Sequence, residues 1–443
     1  MDKGRQMGLA ATIAVVTGES IALGIFLTPA AMARSLGSPV LLAAVWCGMG
    51  LMTMCGALCY SELAVHFPVT GGEYVYLREG FGGRIAFLFG WMSAAVMDPG
   101  LAAALAVGAT PYVLALFGFS TRVQWLIPVV MLVGLAVLNY VGTNLSRRLM
   151  ATANLLKIAV LVCLVAWAWI SGHATVAHLM PLAQRRAGSE PIFAAIAGAT
   201  VSAFFSFGGW WEAGKVAGEV RNPRRNLPLA FTCGVLLVTG VYLLVSFAFL
   251  SVVPLERIVS NTAFVAQFGE ALFGATGGRV LSACVLLSVL GGLMALTMAA
   301  PRVYYAMAKD KLFFKSCGKV NRHHAPGAAL IVQGIWCSVL CLSGTYNQLL
   351  DFLIFAVLIF YILTLLGLFI LRWKRPEMER PYRAFGYPFL PALYLVMAIF
   401  LEIQLLRYKP QYTWPGLIIV VLGVPVYWLW KLAGKSSESG QAA

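Results

Sequence analysis

The chain has 443 residues, of which 60% are hydrophobic and only 11% charged, against about 25% charged in a soluble domain. No soluble fold of this length could hide so much apolar surface from water. The net charge of +15 would suit a nucleic-acid partner, but the basic residues gather at alternate ends of long apolar runs, which is the bias of a membrane protein.

A helix crosses a bilayer with roughly 20 mostly apolar residues, and by that ruler about twelve spans are predicted. They lie near 8–33, 40–66, 84–117, 124–141, 150–171, 191–218, 228–253, 280–306, 327–343, 348–371, 387–406 and 413–431. The runs are continuously apolar, whereas barrel strands alternate apolar and polar residues. An all-α integral membrane protein is therefore expected. Lys3, Arg5, Arg147, Arg148, Arg221, Arg224, Arg225, Lys309, Arg372 and Lys374 fall at the ends that place both termini in the cytoplasm, with the chain in the cell (inner) membrane. The tail 432–443 is short and polar.

Two spans are interrupted in similar ways. The first contains Thr17-Gly18-Glu19-Ser20-Ile21-Ala22-Leu23-Gly24 and the sixth contains Phe205-Ser206-Phe207-Gly208-Gly209-Trp210-Trp211-Glu212. Glycine gains least from being ordered in a helix, and paired glycines in mid-span predict local unwinding. Unwound backbone inside a bilayer is tolerated only where it lines a cavity or is buried in protein. Its freed N–H groups attract a carboxylate and its freed carbonyls attract an ammonium. An amino acid carries both groups on one carbon. The breaks lie about five spans apart, which suits two five-span repeats inverted in the membrane.

Glu19, Asp98, Lys157 and Glu212 lie within apolar spans. Each charge at mid-bilayer costs about 2.5–3.5 kcal/mol on insertion scales, so each should face a partner or the interior. Lys157 is expected either to snorkel to the cytoplasmic face or to serve as an internal cation for carbonyls of the first break. Asp98 precedes Pro99, which frees a carbonyl one turn earlier, and an Arg or Lys within the bundle is as good a partner for it as a substrate. Glu212 is placed at a helix end that water partly reaches. The nine cysteines show no metal spacing and none falls in an outside loop, so neither a metal nor a disulfide-linked partner subunit is expected. No cofactor motif and no catalytic set is present, so the chain is not expected to be an enzyme.

Gly56-Ala57-Leu58-Cys59-Tyr60-Ser61-Glu62-Leu63, then Phe67-Pro68 and Gly71-Gly72-Glu73-Tyr74, together with Gly208-Gly209-Trp210 and Glu219-Val220-Arg221-Asn222-Pro223, carry a resemblance to the amino acid–polyamine–organocation superfamily, and within it to the L-type amino acid transporters. The resemblance implies a LeuT-like fold of five plus five inverted spans, 1–171 and 191–371, with two appended spans over 387–431. It implies a sodium-independent secondary transporter, exchanging or proton-coupled, of L-amino acids, with a carrier of cationic amino acids or polyamines as the alternative and a non-transporting nutrient sensor behind both. The substrate's carboxylate would be bound at Ala22-Leu23-Gly24, where bulkier residues and Glu19 depart from the family pattern. Phe205 matches an aromatic lid. Lys157 matches a lysine standing where sodium-coupled relatives hold the ion, with Ser288 on the eighth span as its hydroxyl partner. The expected substrate site is thus Glu19, Ser20, Ile21, Ala22, Leu23, Gly24, Asp98, Phe205, Phe207, Gly208, Gly209 and Trp210, with Lys157, Ser288 and Glu212 coupling it.

Overall fold

A computed structural model describes residues 6–141, 143–255, 268–323, 325–343, 346–408 and 410–439. Lys3, Arg5, Lys409 and the end of the polar tail lie outside them. Among the described residues the chain is nearly all helix, with a single isolated backbone bridge between Met7 and Val220 and no strand.

The helices run α1 Leu9–Ser20, α2 Gly24–Leu36, α3 Pro39–His66, α4 Glu73–Phe81, α5 Gly83–Met92, α6 Asp98–Phe117, α7 Leu126–Val141 and α8 Thr143–Ile170. They continue as α9 Ile192–Ser206, α10 Glu212–Lys215, α11 Pro223–Val252, α12 Gly277–Ala299 and α13 Pro301–Lys309. The last four are α14 Gly327–Cys341, α15 Tyr346–Lys374, α16 Phe389–Tyr408 and α17 Pro410–Ser439. Eight helical stretches are long and apolar enough to cross a membrane, and the α1–α2 pair, bent by 51°, makes a ninth if taken as one span. The expected twelve are not reached on length alone. Helices α7, α9 and α14 are apolar but hold only 10–17 residues, and at 1.5 Å per residue they fall short of the roughly 30 Å hydrocarbon core.

Helices α1, α11, α12 and α8 pack together, with α2 against α9 and α3 against α11. At depth, backbone groups must be satisfied within the protein, and the interruptions show where they are not helical. Pro99 removes a donor, and the turn before it, Ser93–Met97, is π-helical. The carbonyl that Pro99 frees one turn earlier, that of Ala95, accepts instead from Trp336 Nε1 of α14 at 2.7 Å.

One face is tied together by charge. Glu62 at the end of α3 accepts bonds from Arg372 Nε at 2.9 Å and from the Ala384 N–H at 2.6 Å. The Arg372 guanidinium also lies 3.6 Å from the centre of the Tyr387 ring. The N-terminal segment pairs with the loop after α10, through Met7 N–H to the Glu219 carbonyl and Arg221 N–H to the Met7 carbonyl, at 2.9 and 2.8 Å. Gln6 and Met7 therefore lie on the same face as the basic stretch Arg221–Arg225, which runs into the start of α11.

Candidate functional site

Helix α1 ends at Ser20, and Ile21 turns out of the helical region at φ −84°, ψ 68°. Helix α2 begins at Gly24 without a side-chain cap. No hydrogen bond is made by the N–H groups of Leu23, Gly24 or Ile25 among the described residues. An uncapped helix start is an anion-attracting end. Across from it α9 stops at Ser206, and the chain turns through Phe207–Trp211 before the single turn α10.

The breaks touch. Ser20 Oγ donates to the carbonyls of Phe207 and Gly208 at 3.2 and 2.8 Å. The Tyr242 hydroxyl of α11 bonds the carbonyls of both Ser20 and Ser206. Its ring is held by Trp46 and Phe207, with ring centres 4.7 and 5.2 Å away. Gly24 packs so closely on α9 that a Cβ there would lie 2.7 Å from Ser206 Oγ and 3.1 Å from Ser206 Cα. Gly209 has φ +96°, and a Cβ on it would lie 2.3 Å from Glu19 Cβ. Only glycine suits both that conformation and that contact.

Between the breaks lies a cavity with about 50 Å³ of space for water centres. A single water needs roughly 10–15 Å³ by that measure, so the cavity suits a compact solute. Glu19, Ser20, Ala22, Gly24, Asp98, Phe205 and Gly208 line it. Ile21, Leu23, Phe207, Gly209 and Trp210, also expected in the site, do not line it. Trp210 packs instead against Tyr60, with ring centres 4.8 Å apart. The wall also contains Trp211, Phe204, Ser206, Leu101, Val357 and Tyr361. Trp211 follows Trp210 directly, but a turn that is not helical has no period from which to tell which indole faces inward.

Lys157 is fully buried and donates to the Gly18 carbonyl at 2.6 Å, on the rim of the first break. Asn154, one turn earlier, donates to the Ala14 carbonyl at 2.7 Å. The Lys157 side chain therefore turns into the bundle and does not snorkel. Ser288 is buried on α12, but no hydrogen bond joins it to Lys157 among the described residues.

Glu212 is likewise fully buried, which corrects the expectation that water reaches it. Lys215 lies one turn along α10, and its Nζ stands 2.6 Å from Glu212 Oε1 and 2.7 Å from Asp98 Oδ1. Asp98 Oδ2 also accepts from Ser93. Asp98 thus has a lysine partner, and Lys215 is a residue that sequence reasoning missed. The i, i+3 spacing of Glu212 and Lys215 in an apolar stretch was the available signal. Removing one member of a buried ion pair costs about 3–5 kcal/mol, because the other charge is left uncompensated. Lys215→Met should therefore lower the unfolding temperature sharply, and adding Asp98→Asn should restore part of the loss. A Lys215→Met chain as heat-stable as its parent would remove the triad from the stability of the fold.

Fold and site together define a polytopic membrane permease, with a cavity between two interrupted helices. The family model for amino acid permeases matches residues 7–427, and the chain belongs to that family. It is 27% identical over 428 residues to the serine/threonine exchanger SteT of Bacillus subtilis (strain 168), covering 96% of each chain. It is 29% identical over 432 residues to the mouse (Mus musculus) b(0,+)-type amino acid transporter 1, covering 96% of this chain and 88% of that one. It is 28% identical over 440 residues to the large neutral amino acids transporter small subunit 2 of Oryctolagus cuniculus, covering 96% and 80%.

Proposed function

We propose that the chain is a sodium-independent secondary transporter of small L-amino acids. The observation that carries this is the cavity itself. It is lined by Gly24, at a helix start whose N–H groups make no hydrogen bond among the described residues, and by Ser206 at the carbonyl end of α9. The first suits a carboxylate and the second an ammonium. The cavity's volume favours a compact side chain. The names of the relatives, an exchanger and two transporters of amino acids, agree with it. The interrupted α1–α2 and α9–α10 pairs would be equivalent elements of two inverted repeats, 1–171 and 191–371, with 387–431 appended. The contact between the N-terminal segment and the basic stretch Arg221–Arg225 supports placing that face, and with it the N-terminus, in the cytoplasm of a cell (inner) membrane, and we assign the C-terminus to the same side.

Labelled L-serine and L-alanine loaded against unlabelled amino acid in vesicles containing the purified chain should exchange, and replacing sodium by choline should leave the rate unchanged. Uptake that vanishes without sodium would overturn the ion independence. Binding without uptake would make the protein a sensor. Glu19 and Asp98 in the wall favour a second reading, a carrier of cationic substrates, which competition by lysine, arginine or putrescine separates.

Phe205 stands in the cavity wall beside Leu101 and packs toward Ala104 on α6, and we propose it as the closing lid. Phe205→Ala should raise the apparent KM for uptake several-fold. A variant with the parent's KM and the parent's protection of bound substrate would leave the cavity without this lid.

A further inference from the structure

Glu19 is a buried carboxyl in the cavity wall without a partner. Its side chain lines the cavity, the residue is 6% exposed, and neither carboxyl oxygen makes a hydrogen bond. It has little freedom to move, because its stem lies against Gly209 and a Cβ on Gly292 of α12 would come 3.4 Å from its Cα.

The charged groups around it are already engaged or are themselves acidic. Helix α10 brings Glu212 and Lys215, α6 brings Asp98, and α4 brings Glu73, whose oxygens also lack a bond. Lys215 is held by Asp98 and Glu212. Helix α8 supplies Lys157, which is bonded to the Gly18 carbonyl. Helix α11 presents Tyr242 to the Ser20 carbonyl, α15 presents Tyr361 in the wall, and α12 faces Glu19 with Gly292. No described cation remains for the Glu19 carboxyl, and a buried carboxylate without partner or water is strongly disfavoured.

We propose that Glu19 binds a proton that travels with the substrate, so that transport is proton–amino acid symport; this rests on the transport reading above. The substrate carboxylate would sit at the start of α2, where Gly24 lines the same cavity as Glu19. Two negative charges that close, in a site with little water, repel strongly. A proton taken from the entry side onto a Glu19 carboxylate oxygen turns COO⁻ into COOH and removes the repulsion. It leaves from the same oxygen on the exit side with the substrate. No other bond changes, and one positive charge crosses with each zwitterion. A proton is also the cation that needs no room in so small a cavity.

The test uses the purified full chain in weakly buffered detergent solution with a pH indicator, and L-serine and L-alanine as probes. At the alkaline end of the range, where Glu19 of the empty chain ionises, the wild type should take up as much as one proton per amino acid bound, with affinity weakening there by up to about tenfold for each unit of rising pH, the limit for one linked proton. In vesicles, an inward proton gradient should drive accumulation of labelled L-serine, and a protonophore should abolish it. Glu19→Gln should bind without proton uptake and with an affinity flat in pH. Glu402→Gln, which alters another unpartnered carboxyl outside the site on α16, should keep the wild-type profile. The wild-type measurement decides alone if Glu19→Gln does not fold. Amino acid exchange by the wild type with no proton uptake at any pH and no response to a proton gradient would overturn the symport and leave the transport reading standing, and a Glu19→Gln chain that still takes up a proton would take the proton site away from Glu19. A wild type that neither binds nor exchanges amino acids would overturn both.

Discussion

Gly24→Val is expected to abolish amino acid uptake while leaving expression near normal. A Cβ at this position would lie 2.7 Å from Ser206 Oγ and 3.1 Å from Ser206 Cα, and the second distance involves backbone that no rotamer change relieves. Overpacking of this kind costs about 1–3 kcal/mol where the structure can shift. Here the shift would push α2 away from α9, and these are the two helix ends proposed to share one substrate. Valine's branched Cβ also covers the N–H groups that the carboxylate must reach. Gly24→Ala should fall between parent and valine, since the first methyl already makes the clash. The measurement is initial uptake of labelled L-serine into vesicles, normalised to the inserted protein. A fully active Gly24→Val chain would remove the first break from the site.

Lys157→Ala is expected to cut uptake severely, and Lys157→Met nearly as much. The Lys157 amine is buried and donates to the Gly18 carbonyl, which lies where α1 approaches its break. Methionine keeps most of the apolar stem and removes the donor. The Gly18 carbonyl would then be buried without a partner, at a cost of about 1–3 kcal/mol. Alanine adds a cavity to that loss. Because Lys157 belongs to α8 and Gly18 to α1, the bond joins helices that must keep a defined relation as the site opens. Binding of L-alanine and uptake should be measured together, since a purely structural role would lower the folded fraction and leave turnover per folded molecule unchanged. A Lys157→Met chain with parental turnover would free the coupling from this residue.

The membrane class, the helical content and the interruption of two spans were legible in the sequence, because each rests on composition or local backbone preference. Continuous apolar runs need a bilayer whatever their order, and glycine pairs weaken a helix whatever they face. Gly24, Gly208 and Gly209 could be named for the same reason. So could Asp98, Lys157 and Glu212, since an ionisable group in an apolar run must find a partner. Which partner it finds is a matter of distance. Asp98 and Lys215 are far apart in the chain, and only packing α6 against the turn of α10 brings them to 2.7 Å. The same holds for Lys157 and the Gly18 carbonyl, and for Tyr242, whose hydroxyl joins the two breaks and which nothing local distinguishes from the other buried tyrosines. In the irregular stretch Phe207–Trp211 no helical period assigns faces, so the exchange of Trp210 for Trp211 at the cavity could not be read ahead. Glu19 shows the division most plainly. Its charge in mid-span marked it as costly from the sequence alone, but its lack of a partner became visible only once every neighbouring helix was in place, because an unmet hydrogen bond is a property of all the surroundings and not of the residue.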